Sequence, residues 1–181
     1  MILTRMGKKF VRFLQFVENP RLFRLRQQGI PINTFCQLNQ PWLLKANINT
    51  VLDIGANIGE FSSLIHELLH KAVIYSFEPL DECCERLRTR MGKVVKFEAF
   101  NIALADFNGE LKFHRNEHLP SSSPLPMTDL HKQNYPHTAN DTITSVRGAK
   151  LDDLAKELKI TDNLLIKIDV QGYENKVIAG G

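Results

Sequence analysis

Asp53, Gly55, Asn57, Gly59 and Glu78 are the residues whose types and spacing set the terms for chemistry in this chain. In Asp53-Ile-Gly-Ala-Asn57-Ile-Gly59 an apolar run ends in a glycine turn, and Glu78 closes a second apolar run about 20 residues further on. A turn of this kind that opens a helix leaves backbone N–H groups able to hold an anionic group. A carboxylate at the end of the next strand accepts hydrogen bonds from ribose hydroxyls. The pattern predicts a ligand that carries a ribose.

The turn also separates two ligand classes. A dinucleotide loop reads Gly-x-Gly-x-x-Gly so that bare backbone meets the pyrophosphate. Here Asp53 occupies the first of those positions, and the spacing from Gly55 to Gly59 is one residue too long. A carboxylate aimed at a pyrophosphate repels it, whereas S-adenosylmethionine has no phosphate and carries an ammonium and a sulfonium. Charge therefore favours the methyl donor over a nicotinamide dinucleotide. Glu78 does not discriminate, since both classes present a ribose.

Other reactive patterns carry less. His66-Glu67-Leu-Leu-His70 formally matches the zinc-protease pattern, but it falls on a helix whose core-facing residues are Ile65, Leu68 and Leu69, with no third ligand nearby. These are expected to be surface histidines, and no metal is expected. Cys36, Cys83 and Cys84 are odd in number and lack metal-ligand spacing, so free thiols in a reducing compartment are expected.

The elements that must position these residues can be read from periodicity. Val51 to Ile54 predicts a strand. Phe61, Leu64, Ile65, Leu68 and Leu69 predict the helix that follows the turn. Ala72 to Phe77 predicts a second strand, and Asp81 is expected to cap a helix through Leu87 and Met91. Strands are expected at Val94 to Phe100, at Leu111 to His114 with local pairing, weakly at Ile143 to Val146, and at Leu164 to Ile168. Leu151 to Leu158 predicts an amphipathic helix, and helical residues are expected around Val177 and Ile178. Residues 116–142, rich in proline and serine, predict a long loop, which in a compact domain is either functional or disordered.

At 181 residues, 43% hydrophobic and 24% charged, the chain is sized for one domain with an appendage and has the composition of a folded soluble protein. No apolar run reaches the roughly 20 residues needed to span a bilayer, so a cytoplasmic location is expected. Residues 1–28 carry seven Lys or Arg against Glu18 alone, so the remainder is net acidic although the whole chain is +3. Phe10, Phe13, Leu14 and Val17 recur at helical spacing among those charges, and Asn19-Pro20 is expected to stop that helix. It either packs its aromatic face on the domain or rests on an anionic membrane or nucleic acid. Gly29 to Asn49 predicts a connector with a short helix. The expected organisation is a basic helical segment and connector at 1–48 and an α/β domain at 49–181.

Taken in order, Asp53-Ile-Gly-Ala-Asn57-Ile-Gly59-Glu-Phe-Ser62, Phe77-Glu78-Pro79, Ala103-Leu104, Ser121-Ser122, Leu151-Asp-Asp-Leu154 and Ile166-Lys-Ile-Asp169-Val-Gln171-Gly-Tyr-Glu174 resemble the FkbM-type methyltransferases. These are a branch of the class I S-adenosylmethionine-dependent enzymes, and the resemblance covers about residues 49–181. It implies a doubly wound, mainly parallel Rossmann-like sheet and O-methylation of a hydroxyl on a sugar, glycan or secondary metabolite. By the same resemblance Asp53, Gly55, Asn57 and Gly59 line the methionine end of the cofactor, Glu78 takes the ribose, and Ala103 and Leu104 lie near the adenine. Asp169, Gln171 and Glu174 stand where the methyl and the acceptor meet. Asp169 is the first candidate for the base that takes the acceptor's proton or orients the cofactor. Glu174 and the loop residues His118, His131 and His137 are the alternatives.

The resemblance also implies a helix and further strands after Asp169, yet the sequence stops at Gly180-Gly181. The sheet is therefore expected to be incomplete at its C-terminal side, leaving Leu164 to Ile168 with an unpaired edge. A fragment is the preferred expectation, ahead of an edge covered by another chain or a rearranged fold. Two other readings stand beside the methyltransferase: a dinucleotide-dependent oxidoreductase, and an inactive module that binds a membrane or nucleic acid through its basic N-terminus.

Overall fold

The computed structural model of the chain describes residues 19–116, 122–125 and 141–181. The basic segment up to residue 18 and the histidines His118, His131 and His137 lie outside the described residues. The chain divides into two compact units, residues 1–45 and 46–181. In the first, α1 (Pro20–Gln27), α2 (Ile32–Leu38) and α3 (Pro41–Leu44) follow one another. Pro20 begins a helix rather than only ending one, since its fixed φ and missing N–H suit the first helical position. Leu25 and Phe35 are buried, and the Arg21 guanidinium stands 5.5 Å over the Phe35 ring. The expected single short helix between Gly29 and Asn49 is two, α2 and α3.

The second unit is built on a four-stranded parallel sheet in the order β3-β2-β1-β7. Its strands are β1 (Thr50–Ile54), β2 (Val73–Phe77), β3 (Phe97–Phe100) and β7 (Leu164–Ile168). β1 is buried along its whole length, as its apolar run, interrupted only by Asp53, requires of a strand covered on both faces. Helices α4 (Glu60–Leu68) and α5 (Asp81–Met91) make the crossovers between β1, β2 and β3. The chain order reverses between β1 and β7, which places the switch point of the sheet beside the glycine turn. On one face Leu52, Ile54, Tyr75 and Phe77 pack with Leu104 and with Val177 of α7 (Glu174–Ala179). Leu151 and Leu154 of α6 (Leu151–Ala155) extend that layer.

A second sheet has the order β4-β6-β5. β4 is Ala103–Leu104, β5 Gly109–Asn116 and β6 Asp141–Ala149. β5 and β6 pair antiparallel from Gly109 with Gly148 to Asn116 with Asp141. The expected short, locally pairing strand at Leu111 to His114 is thus a long one that finds its partner across the 116–142 loop. An antiparallel ladder with one exposed face accepts polar residues at alternate positions, so its apolar signal is diluted to Leu111 and Phe113. β3 begins at Phe97 instead of Val94 because the Val94 N–H turns back onto the Met91 carbonyl and Val95 points into solvent. Asp81 does not cap α5. It is the first helical residue, with Leu80 at the cap position, and with Glu82 it puts negative charge at the positive end of the helix dipole.

β7 pairs with β1 on one side only among the described residues, and Leu164 and Ile166 remain 37% and 43% exposed. The expected edge is present.

Candidate active site

Three backbone conformations make the glycine turn. Gly55, Asn57 and Gly59 all have positive φ, at 74°, 49° and 81°. Gly55 and Ala56 both donate their N–H to the Phe77 carbonyl, at 3.0 and 3.1 Å, which folds the turn over the end of β2. At Gly55 the side-chain space is already taken: a Cβ would lie 2.0 Å from the Asp169 carbonyl oxygen. The Asp169 N–H in turn donates to the Ile54 carbonyl at 3.0 Å. Glycine is required here because two strand ends meet backbone to backbone. At Gly59 the obstacle is milder, the Leu87 Cδ1 methyl at 2.6 Å.

Glu78 directly follows β2 and is only 6% exposed. Its Oε2 accepts the Asn57 N–H at 2.8 Å and its Oε1 the Leu80 N–H at 3.0 Å. The backbone around it is held by Asn101, whose side-chain amide donates to the Glu78 and Pro79 carbonyls at 3.1 and 3.0 Å. Each carboxylate oxygen keeps a further acceptor direction, and the pair faces the cleft. Burial pushes the Glu78 carboxyl above its ordinary value, against the lowering effect of the two backbone N–H groups.

The cleft opens between the ends of β1, β2 and β7 and holds about 710 Å³ of empty space counting its open mouth. Of the candidate residues, Gly55, Asn57, Glu78, Ala103, Leu104, Asp169 and Gln171 line it. Ile102, Leu80 and Phe113 complete an apolar wall beside Ala103 and Leu104, and Tyr173, which clusters with Ala103, also lines the cleft. Phe113 and Tyr173 have no individual signal in the sequence. Phe113 reaches the cleft only through the β5–β6 pairing, and Tyr173 only through the tight turn before α7.

Asp53, Gly59 and Glu174 are not in the cleft wall. Asp53 is fully buried beneath the turn, where Ser62 Oγ donates to Oδ2 at 2.6 Å and Lys167 Nζ lies 3.0 Å from Oδ1. Its charge is therefore balanced inside the protein, and the repulsion expected between Asp53 and a pyrophosphate does not reach the ligand. Gly59 shapes the start of α4. Glu174 accepts the Val170 and Gly172 N–H groups at 3.3 and 3.2 Å. Backbone N–H groups, its own foremost, hold its carboxyl below the ordinary value.

That arrangement suits a fastener of the turn at Gln171 (φ 54°) and Gly172 (φ 94°) better than a base. Glu174→Ala is expected to cost about 1 kcal/mol in a urea melt. Because the folded value is depressed, the stability Glu174 adds is present above the unfolded carboxylate value and is lost as pH falls through the folded one. A wild-type and variant pair whose stability difference does not shrink on acidification would contradict this.

The described part of the long loop crosses to this turn. Ser123 exchanges backbone hydrogen bonds with His114 of β5, and its Oγ donates to the Gln171 carbonyl at 2.9 Å. Gln171 Nε2 donates to Asp169 Oδ1 at 3.0 Å. Ser122 and Pro124 thereby line the cleft.

Among the described residues no cluster suited to a metal ion occurs. His70 lies beyond the end of α4, so it does not stack over His66 on one helix face. The cysteines are free thiols, and burial pushes Cys83 up to about 12. No described helix is long and apolar enough to cross a membrane.

The model of the methyltransferase FkbM domain matches residues 53–181. The chain is 32% identical over 145 residues to 2-O-methyltransferase NoeI of Sinorhizobium fredii, covering 77% of this chain and 60% of NoeI. It is 28% identical to AMB antimetabolite synthetase AmbE of Pseudomonas aeruginosa, over 72% of this chain but 7% of that much larger protein. A Staphylococcus aureus crystal structure described as a candidate caffeoyl-CoA O-methyltransferase aligns with 52% of this chain and 50% of its own, at 17% identity and a TM-score of 0.40, too distant to carry an argument. The chain spans about 60% of the length of NoeI. With the family model covering the glycine turn, Glu78 and the Asp169 to Glu174 turn in one match, the chain belongs to the FkbM methyltransferase family.

Proposed function

We propose that this chain is the S-adenosylmethionine-binding domain of an O-methyltransferase acting on a hydroxyl of a sugar, glycan or secondary metabolite. The observation that carries the reading is Glu78. It is a buried carboxylate with both oxygens seated on backbone N–H groups and still facing a cleft that has an apolar wall on one side and Asp169 and Gln171 on the other. NoeI, a 2-O-methyltransferase by name, supports a hydroxyl acceptor.

The donor set fits the cofactor. Glu78 would accept from the ribose hydroxyls, Ile102, Ala103, Leu104 and Phe113 would enclose the adenine, and Gly55, Asn57 and Gln171 would flank the methionine portion. When bound, the cofactor supplies an electrophilic methyl group on a sulfonium. Gln171 holds the Asp169 carboxylate through Oδ1. Asp169, 58% exposed at the cleft and open to solvent exchange, would take the proton of the acceptor hydroxyl as the methyl group is transferred and S-adenosylhomocysteine is left behind. Alignment of acceptor and methyl supplies much of the acceleration.

A thermal scan tests the binding half of this. S-adenosylmethionine or S-adenosylhomocysteine at about 100 times its dissociation constant adds about 2.7 kcal/mol, a rise of several degrees for a domain this size, while a nicotinamide dinucleotide leaves the melt unchanged. Flat scans with both adenosyl compounds would sink the reading.

A further inference from the structure

Lys167 is the charged residue within the otherwise apolar run of β7, and its register puts it beside Asp53 of β1. Its Nζ lies 3.0 Å from Asp53 Oδ1, 2.8 Å from the Gly55 carbonyl oxygen, 3.5 Å from that of Ile54 and 3.8 Å from Asp169 Oδ2. The Phe61 ring covers the ammonium from another side at 5.7 Å. One cation thus joins the buried acid beneath the glycine turn, the turn's own carbonyl and the acid at the cleft rim.

A sheet does not need this pair. Burying a lysine and an aspartate side by side costs desolvation that their attraction only roughly offsets, and replacing such a pair with apolar residues is often neutral or stabilising. What an apolar pair lacks is a donor to the Gly55 carbonyl and a counter-charge for Asp169. Both of those groups border the part of the cleft where the proposed reading puts the methionine portion. We propose that Lys167 is a positioning residue for the methionine end of the cofactor. It is the internal cation for Asp53, and it fixes the Gly55 carbonyl and the Asp169 carboxylate in the geometry they present to the ligand. Asp53 then acts through Lys167 and not by touching the cofactor's ammonium.

This rests on the cofactor reading of the cleft, and the test separates the two. Lys167→Met leaves the Asp53 carboxylate buried without a counter-charge and is expected to destabilise the fold. The informative variant is therefore Asp53→Asn with Lys167→Met, which removes both charges. The full-length wild type and double variant are each titrated with S-adenosylhomocysteine and with 5′-methylthioadenosine, which has the adenine and ribose but no amino-acid portion. In the double variant, S-adenosylhomocysteine is expected to bind at least about tenfold more weakly, while 5′-methylthioadenosine binds within about twofold of wild type. Equal weakening of both ligands would mean a general loss of structure, and no weakening of either would mean that Lys167 only neutralises Asp53; each overturns the proposal. Failure of the wild type to bind either ligand would bring down the cofactor reading, and Lys167's role with it.

Discussion

Gly55→Ala is expected to lower the melting temperature by roughly 6 to 12 °C and to abolish cofactor binding. Two effects add. A non-glycine residue at φ 74° is strained by about 1 to 3 kcal/mol, and the new Cβ would stand 2.0 Å from the Asp169 carbonyl oxygen, a backbone atom with no rotamer to escape through. Together about 3 kcal/mol or more is lost, at 2 to 4 °C per kcal/mol for a chain of this size. Relief comes only by moving the Asp169 strand end away, which opens the cleft floor. Gly59→Ala provides the contrast. Its φ is as unfavourable, but its obstacle is the tip of Leu87, which can rotate, so the cost is expected to stay near 1 kcal/mol. A Gly55→Ala melt no lower than that of Gly59→Ala would show that the two strand ends are not locked at this point.

Glu78→Gln is expected to weaken S-adenosylhomocysteine by about 30-fold or more, the equivalent of about 2 kcal/mol for charge-assisted bonds to ribose hydroxyls. The carboxylate also serves two backbone N–H groups, and an amide accepts only one while turning its NH₂ toward the other. The pH dependence has a definite sign. Burial raises the folded value above the ordinary 4.5, so the folded protein binds a proton more tightly there than the unfolded chain. The stability contributed by that proton is present below the unfolded value and is lost as pH rises through the folded one. Cofactor affinity runs the other way, weakening on acidification as the acceptor becomes protonated, at a pH above that of an ordinary glutamate. Melting curves with and without ligand across acidic pH read both effects. A wild type whose affinity fell only in the range of an exposed glutamate, or a Glu78→Gln variant that kept the acidic limb, would count against this role.

The parallel core was legible because its signals are local. Buried strands read as short apolar runs, α4 and α5 as helical periodicity, and the turn as glycines that nothing else replaces. The second sheet was not, since β5 and β6 find each other across the 116–142 loop and carry half-exposed polar faces. In the site, Gly55 and Asn57 were visible because a left-handed backbone favours their types, and Glu78 because an acid follows the second apolar run at the spacing of a ribose acceptor. Asp53 was legible as an important acid but not in its direction: pairing with Lys167 depends on the β1–β7 register, which one strand's sequence does not contain. Lys167 itself had a signal, a lysine inside Leu-Leu-Ile-Lys-Ile, which buried strands do not tolerate without a partner. Glu174 read as a candidate base because sequence shows its charge but not the two N–H groups that its carboxylate caps.

The most direct measurement is titration calorimetry of the full chain with S-adenosylhomocysteine and, separately, with a nicotinamide dinucleotide. One saturable site for S-adenosylhomocysteine and no heat from the dinucleotide is the predicted result. Binding of the dinucleotide in its place, or no binding of S-adenosylhomocysteine by a chain that melts cooperatively, would contradict the assignment of the Glu78 cleft to a methyl donor.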